Sequence, residues 1–255
     1  MTDPTLVARL RAAGCVFAED EAELITAEAT SAAQLESLVR RRIGGEPLEQ
    51  VLGWAAFDGL RIAVEPGVFV PRRRTELLVR EAAAILSEGD TVLDLCCGSG
   101  AVAAAVHARV PGVAVFAADI DPAAVHCARR NVPGPGAVFE GDLYSALPRE
   151  LMGRVDVIAV NAPYVPTEAI DLMPPEARLH EPTVALDGGE DGLDIQRRVA
   201  EQAPEWLAPG GDLLIETSRR QAPVTVEIME TCGLVARIVR SEDIDATIVI
   251  GSVAR

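Results

Sequence analysis

Residues 92–106 read "VLDLCCGSGAVAAAV". A short apolar run carries Asp94 near its end, turns through Cys96, Cys97, Gly98, Ser99 and Gly100, and continues into an alanine-rich segment. That order describes a buried strand, a glycine turn and a helix. In an open parallel sheet, ligands bind at the carboxyl ends of the strands, where the strand order reverses. Gly98 and Gly100 let backbone approach a ligand closely because no Cβ intervenes. The run reads C-x-G-x-G, not the G-x-G-x-x-G of dinucleotide sites, and no Lys-Ser or Lys-Thr pair follows as in a Walker A loop. Asp94 would repel a pyrophosphate and favour a ligand with an amino group. By itself the turn is explained equally well as a plain strand-to-helix connection.

The flanking sequence extends the same pattern. From residue 90, "TVLDLC", "VAVFAAD", "VDVIAV" and "GDLLIE" alternate with helical segments, and "GLVARIVR" and "ATIVI" follow as late strands. Strands apolar on both faces that alternate with helices predict an α/β fold with a mainly parallel, helix-covered sheet. Residues 3–52 repeat Leu and Ile at helical spacing, with Thr30 or Ser31 as an N-cap and Gly44-Gly45 as a stop. Asp58-Gly59 between two apolar stretches predicts a β-hairpin. The connection over 165–192 is long and rich in Pro, Glu and Gly, as lids and binding loops are.

The bulk chemistry narrows the class. With 255 residues, the chain is long enough for a main domain and a small appendage. Its formal charge of −16 opposes broad nucleic-acid binding and suits a basic protein partner, although solubility alone explains an acidic surface. The five cysteines are odd in number and lack C-x-x-C spacing, and the three histidines lack metal spacing, so neither a disulfide framework nor a metal site is expected. Reduced thiols, a polar N-terminus and no long apolar run predict a soluble cytoplasmic protein without membrane spans.

Three strand ends describe one ligand. Asp119 closes the second strand, where an acid commonly takes a ribose hydroxyl pair, and Asp121 serves better as the cap of the helix opening at Pro122. Asp142 closes the third strand beside Leu143 and Tyr144, where an adenine can lie on apolar surface with its amine on Asp142; an ordinary helix cap explains Asp142 equally well. An adenosine pocket without phosphate machinery fits S-adenosyl-L-methionine.

"VDVIAVNAPYVPT", residues 155–167, then delivers Asn161-Ala162-Pro163-Tyr164 to the end of the fourth strand. The Asn161 side chain both accepts and donates, and with the carbonyl of residue 162 it can hold both hydrogens of an –NH2 group. Holding the nitrogen in line with a methyl donor is catalysis by orientation. Tyr164 can stack on a planar amide or base, and Pro163 stiffens the turn. A strand-ending Asn-x-Pro turn is the plainer alternative.

In these segments, and in "PLEQVLGWAAFDGLRIAVEPGVFVPRRRTELLV", "ADIDPAAVHCARRN", "GDLYSAL", "EPTVALDGGEDGLD" and "LAPGGDLLIE", the chain resembles the HemK-type protein-(glutamine-N5) methyltransferases. Those enzymes act on the Gly-Gly-Gln glutamine of peptide-chain release factors. The resemblance implies a class I S-adenosylmethionine-dependent methyltransferase: a Rossmann-like, mainly parallel seven-stranded sheet over 73–255, a helical recognition domain over 1–53 and a β-hairpin linker over 54–72. It implies cofactor contacts at residues 96–100, Asp119, Asp142, Leu143 and Asn161, and an acceptor amide held by residues 161–164, with Asn161, Pro163 and Tyr164 in the catalytic motif. A release factor is the implied partner.

Two positions depart from the family pattern. Ala162 stands where Asn-Pro-Pro-Tyr has its first proline, which keeps the carbonyl and loosens the clamp. "PRRRTE" stands for Pro-Arg-Pro-Glu-Thr-Glu, so Arg73 and Arg74 remove a proline and reverse a charge near the site mouth. These departures keep open another protein or small-molecule acceptor. An adenine-N6 nucleic-acid methyltransferase and a cofactor-binding protein without turnover are further alternatives; the acidic charge opposes the former.

Overall fold

The computed structural model describes residues 3–134 and 137–254; residues 1, 2, 135, 136 and 255, and with them both outer limits of the three-part division, lie outside the described residues. Four helices open the chain: α1 (Pro4–Ala12), α2 (Ala18–Glu28), α3 (Ala32–Ile43) and α4 (Leu48–Leu52). Asp3 caps α1 by accepting from the Thr5 amide at 2.8 Å, ahead of Pro4 at the first helical position. Ser31 caps α3 through the Gln34 amide at 3.2 Å. Leu6, Leu10, Ile25, Leu38, Val39 and Val51 meet in a core of their own. Beside it Arg42 and Glu21 form an ion pair at 2.7 Å, with both side chains largely withdrawn from solvent.

Strands β1 (Trp54–Phe57) and β2 (Leu60–Ala63) pair antiparallel about Asp58 and Gly59, whose φ angles of 50° and 79° give the left-handed turn that matches strand twist. This hairpin is more than a linker. Phe57 and Ile62 join the core beneath α5 (Glu76–Ile85) and α6 (Ala101–Arg109). Asn131, at the end of α7 (Pro122–Asn131), exchanges two 2.9 Å hydrogen bonds with the Ala63 backbone.

The remaining strands are β3 (Thr91–Leu95), β4 (Ala114–Asp119), β5 (Val138–Glu140), β6 (Val155–Val160), β7 (Leu207–Glu216), β8 (Val235–Ser241) and β9 (Ala246–Ser252). They form one seven-stranded sheet in the order β5-β4-β3-β6-β7-β9-β8. The pairs from β5 through β7 are parallel, while β9 lies antiparallel between β7 and β8. Alternate residues serve opposite faces: Val92, Val157 and Leu214 face one apolar layer, Leu93, Ile158 and Leu213 the other. Helices α8 (Pro175–His180), α9 (Asp194–Trp206) and α10 (Ala222–Thr231) complete the chain. The order runs outward from β3 through β5 and restarts on the other side of β3 with β6. The crevice therefore opens above the ends of β3 and β6.

Candidate cofactor and acceptor site

At that switch point, Asp94, Cys96, Cys97, Gly98, Ser99, Asp119, Asp142, Leu143, Asn161, Ala162, Pro163 and Tyr164 line one solvent-open cleft. Gly100 is the predicted contact that the cleft does not include. It caps α6 at φ 74°, and a Cβ there would stand 2.6 Å from Val132 and 3.1 Å from Ala128. Its missing side chain permits the close packing of α6 on α7.

The turn after β3 is bent by Cys96, a non-glycine residue at φ 57°. A left-handed L-residue costs about 1–2 kcal/mol, which the surrounding bonds must offset. Cys97 donates its amide to the Ala118 carbonyl at 3.1 Å, and Gly98 donates to Asp119 Oδ2 at 2.8 Å. Asp119 Oδ1 accepts from the Asp121 amide at 3.0 Å, and Asp121 itself caps α7. Each Asp119 oxygen keeps a lone pair for a diol. Asp94 is buried and accepts from the Ala103 amide at 3.0 Å; burial, with Asp119 nearby, pushes its carboxyl up to about 7. Burial likewise raises the Cys96 and Cys97 thiols, which keeps them protonated and inert.

The third strand end differs in detail from expectation. Asp142 lines the cleft and makes no side-chain cap; its Oδ2 pairs with Arg198 of α9 at 2.6 Å. Leu143, at φ 50°, faces the cleft. Tyr144 does not: it is buried, stacks on Trp206 at 5.5 Å and donates its hydroxyl to the Val199 carbonyl at 3.1 Å.

The Asn161 segment sits on a polar network. Asn161 Nδ2 donates to Thr75 Oγ1 at 3.3 Å, and Tyr164 donates its hydroxyl to Glu216 Oε1 at 3.4 Å. Glu216 ends β7, is 2% exposed, and also meets Arg74 Nε at 3.3 Å and the Thr75 hydroxyl. Burial raises the Glu216 carboxyl against the opposing pull of Thr75, Arg74 and Tyr164. Burial, with Glu216 alongside, raises the Tyr164 phenol. The Arg74 guanidinium stands 5.8 Å over the Tyr164 ring, so part of the surface expected to stack on an acceptor is already covered.

The long connection folds against this motif. Gln221 Nε2 donates to the Tyr164 carbonyl at 2.9 Å, and Val165 bridges to Asp187. A Cβ at Gly192 would lie 2.3 Å from the Tyr164 carbonyl oxygen, so this glycine is required by close approach as well as by its φ of 79°. Glu181 lines the cleft, pairs with Arg72 at 2.5 Å and accepts from the Val70 amide at 3.4 Å. Glu181 Oε2 and Glu216 Oε2 are buried without a hydrogen-bond partner among the described residues. No group of acids, cysteines and histidines among the described residues could hold a metal.

Sequence reading missed Thr75, Glu216 and Arg198. Glu216 carried a usable signal, because it closes an apolar strand as Asp94 and Asp119 do. Thr75 and Arg198 did not, since their partners lie 86 and 56 residues away.

Residues 59–243 match the Methyltransferase small domain family. Over 204 residues the chain is 39% identical to the release factor glutamine methyltransferase of Geobacter sulfurreducens, covering 79% of this chain and 71% of that protein. Over 203 residues it is 41% identical to the 4-amino-L-phenylalanine/4-methylamino-L-phenylalanine methyltransferase of Streptomyces pristinaespiralis, covering 76% and 69% of the two. The solved structure of a methyltransferase from Pyrococcus furiosus shares the fold, with a TM-score of 0.59 and 18% identity over 77% of this chain and 90% of that one. No helix among the described residues is long and apolar enough to cross a membrane. The chain belongs to the HemK-type methyltransferase family and is an N-methyltransferase that takes its methyl group from S-adenosylmethionine.

Proposed function

We propose that this chain methylates the side-chain amide nitrogen of a protein glutamine, with the Gly-Gly-Gln glutamine of a peptide-chain release factor as its acceptor, in the cytoplasm. The observation that carries this reading is Asn161, which lines the same cleft as Asp94 and Asp119 and spends an N–H on Thr75, leaving Oδ1 and a second N–H. In this reading Asp119 takes the ribose hydroxyls, Asp94 and the 96–99 turn hold the amino-acid tail, and Leu143 supplies apolar surface for the adenine. S-adenosylmethionine supplies a sulfonium methyl. Asn161 and the carbonyl of Ala162 hold the acceptor –NH2, and Pro163 and Tyr164 shape its slot. A neutral amide nitrogen is a poor nucleophile, so alignment and exclusion of water matter more than a strong base. Glu216, the carboxylate beneath Tyr164, accepts from the Tyr164 hydroxyl and pairs with Arg74. Helices α1–α4 form the recognition unit for the protein partner, and the −16 charge favours a basic one.

The likeness to an aromatic amino-acid methyltransferase supports a second reading, a small amine acceptor whose carboxylate lies near Arg72 and Arg74, both of which line the cleft. Offering an intact release factor and 4-amino-L-phenylalanine in one reaction with isotopically labelled S-adenosylmethionine separates the two. Label in the protein fraction supports the first reading, and label in the small-molecule fraction alone replaces it with the second.

A further inference from the structure

We propose that Arg74 is a specificity-determining residue whose guanidinium takes a carboxylate belonging to the same amino-acid unit as the reacting nitrogen, an inference that rests on the second reading, a small amine acceptor. The structure separates the neighbouring arginines, since Arg74 lines the cleft and Arg73 does not. Arg74 is held from two sides. Its Nε stands 3.3 Å from Oε1 of the buried Glu216, and its guanidinium carbon lies 5.8 Å over the Tyr164 ring. Neither Nη nitrogen donates a hydrogen bond to any described residue. The other two arginines that line the cleft are engaged: Arg72 Nη2 donates to Glu181 at 2.5 Å and Arg198 Nη2 to Asp142 at 2.6 Å.

The free edge of Arg74 is therefore a planar pair of donors, the geometry that holds a carboxylate through two parallel bonds. Anchoring on Glu216 and Tyr164 limits the side-chain freedom lost when an anion arrives. Because the guanidinium stands over Tyr164, that anion lies beside the acceptor slot. Much of the remaining charged lining is acidic, with Asp94, Asp119 and Glu181 among it, so an acceptor carboxylate placed elsewhere in the cleft meets repulsion. A residue inside a peptide chain would offer this fork only a neutral backbone amide, whereas a free amino acid offers its α-carboxylate.

The test compares 4-amino-L-phenylalanine with its carboxamide, 4-amino-L-phenylalaninamide. Binding of each is measured by titration calorimetry on the chain saturated with the demethylated cofactor, at about pH 6.5, where both probes carry an ammonium. The unsubstituted chain is expected to bind the carboxylate form at least about tenfold more tightly than the amide. Arg74→Gln brings the two within about twofold. Arg74→Lys, which keeps a cation for Glu216, retains a preference of about two- to fivefold, because a point charge replaces the fork. The Kd for S-adenosylmethionine stays within about threefold in both variants. Equal affinities for the two forms in the unsubstituted chain overturn the proposal, as does a preference that survives Arg74→Gln, or no measurable binding of either form. A rise of about tenfold or more in the cofactor Kd in both variants also overturns it, by assigning the guanidinium to the cofactor's own carboxylate. If the carboxylate form is not methylated yet the preference follows Arg74, the small-acceptor reading fails and the subsite stands. If both forms bind and are methylated equally, that reading stands and the subsite fails.

Discussion

The amide of Gly98 donates to the carboxylate of Asp119 at 2.8 Å, which ties the turn after β3 to the end of β4. One acidic side chain therefore shapes the glycine turn and presents its remaining lone pairs to the cleft. Replacing Asp119 with Ala removes both functions. The cofactor Kd is expected to rise about 30-fold or more, corresponding to roughly 2 kcal/mol for hydrogen bonds to a charged group. Titration calorimetry with S-adenosylmethionine checks this, and retained far-UV circular dichroism separates it from unfolding.

Asp94 gives the site a pH dependence with a definite sign. Its carboxyl is raised to about 7, chiefly by burial, and a ligand ammonium binds the ionised form. Cofactor Kd is expected to be flat above that pH and to rise about tenfold for each unit below it. Asp94→Asn binds weakly and loses the slope. Stability of the ligand-free protein runs the other way. Between roughly 3.9, the unfolded carboxyl value, and about 7, the folded chain holds a proton that the unfolded chain has released, so this contribution is lost as pH rises. Asp119, Glu181 and Glu216 are raised by burial and act in the same direction. Affinity and melting temperature measured over one pH series should therefore diverge.

Much of this site could be read along the chain, and the limits have physical causes. Asp94, Asp119 and Asn161 were legible because each closes an apolar strand, and strand ends converge in a parallel sheet whatever the loops do. The hairpin was legible from Asp58-Gly59, since few residue pairs accept two successive positive φ angles. Gly100 lies outside the cleft lining because its environment is made by Val132 and Ala128 of another segment, which no local pattern reports. Asp142 was half legible: its place at a strand end was apparent, but its pairing with Arg198 depends on where α9 lands. The insertion of β9 between β7 and β8 left no sequence signal, because adjacency within the sheet is decided by tertiary packing.

The helical core at the N-terminus permits a test of recognition apart from chemistry. Ile25 is fully buried among Leu6, Leu10 and Val39. Ile25→Ala is expected to destabilise α1–α3 by about 2–5 kcal/mol while cofactor binding is kept. Methylation of an intact protein acceptor should then fall at least about tenfold, while a short Gly-Gly-Gln peptide is affected far less. Equal losses on both acceptors would place the helices outside recognition.

The central claim is that Asn161-Ala162-Pro163-Tyr164 holds a protein glutamine amide for methylation. Its most direct test is the mass of a release factor incubated with S-adenosylmethionine and either this chain or its Asn161→Ala variant, with fragmentation to locate the added methyl. A single methyl on the Gly-Gly-Gln glutamine, formed by the unsubstituted chain and reduced at least about 100-fold by the variant, is the predicted result. An unmodified glutamine under conditions where cofactor binding is demonstrated would contradict the account.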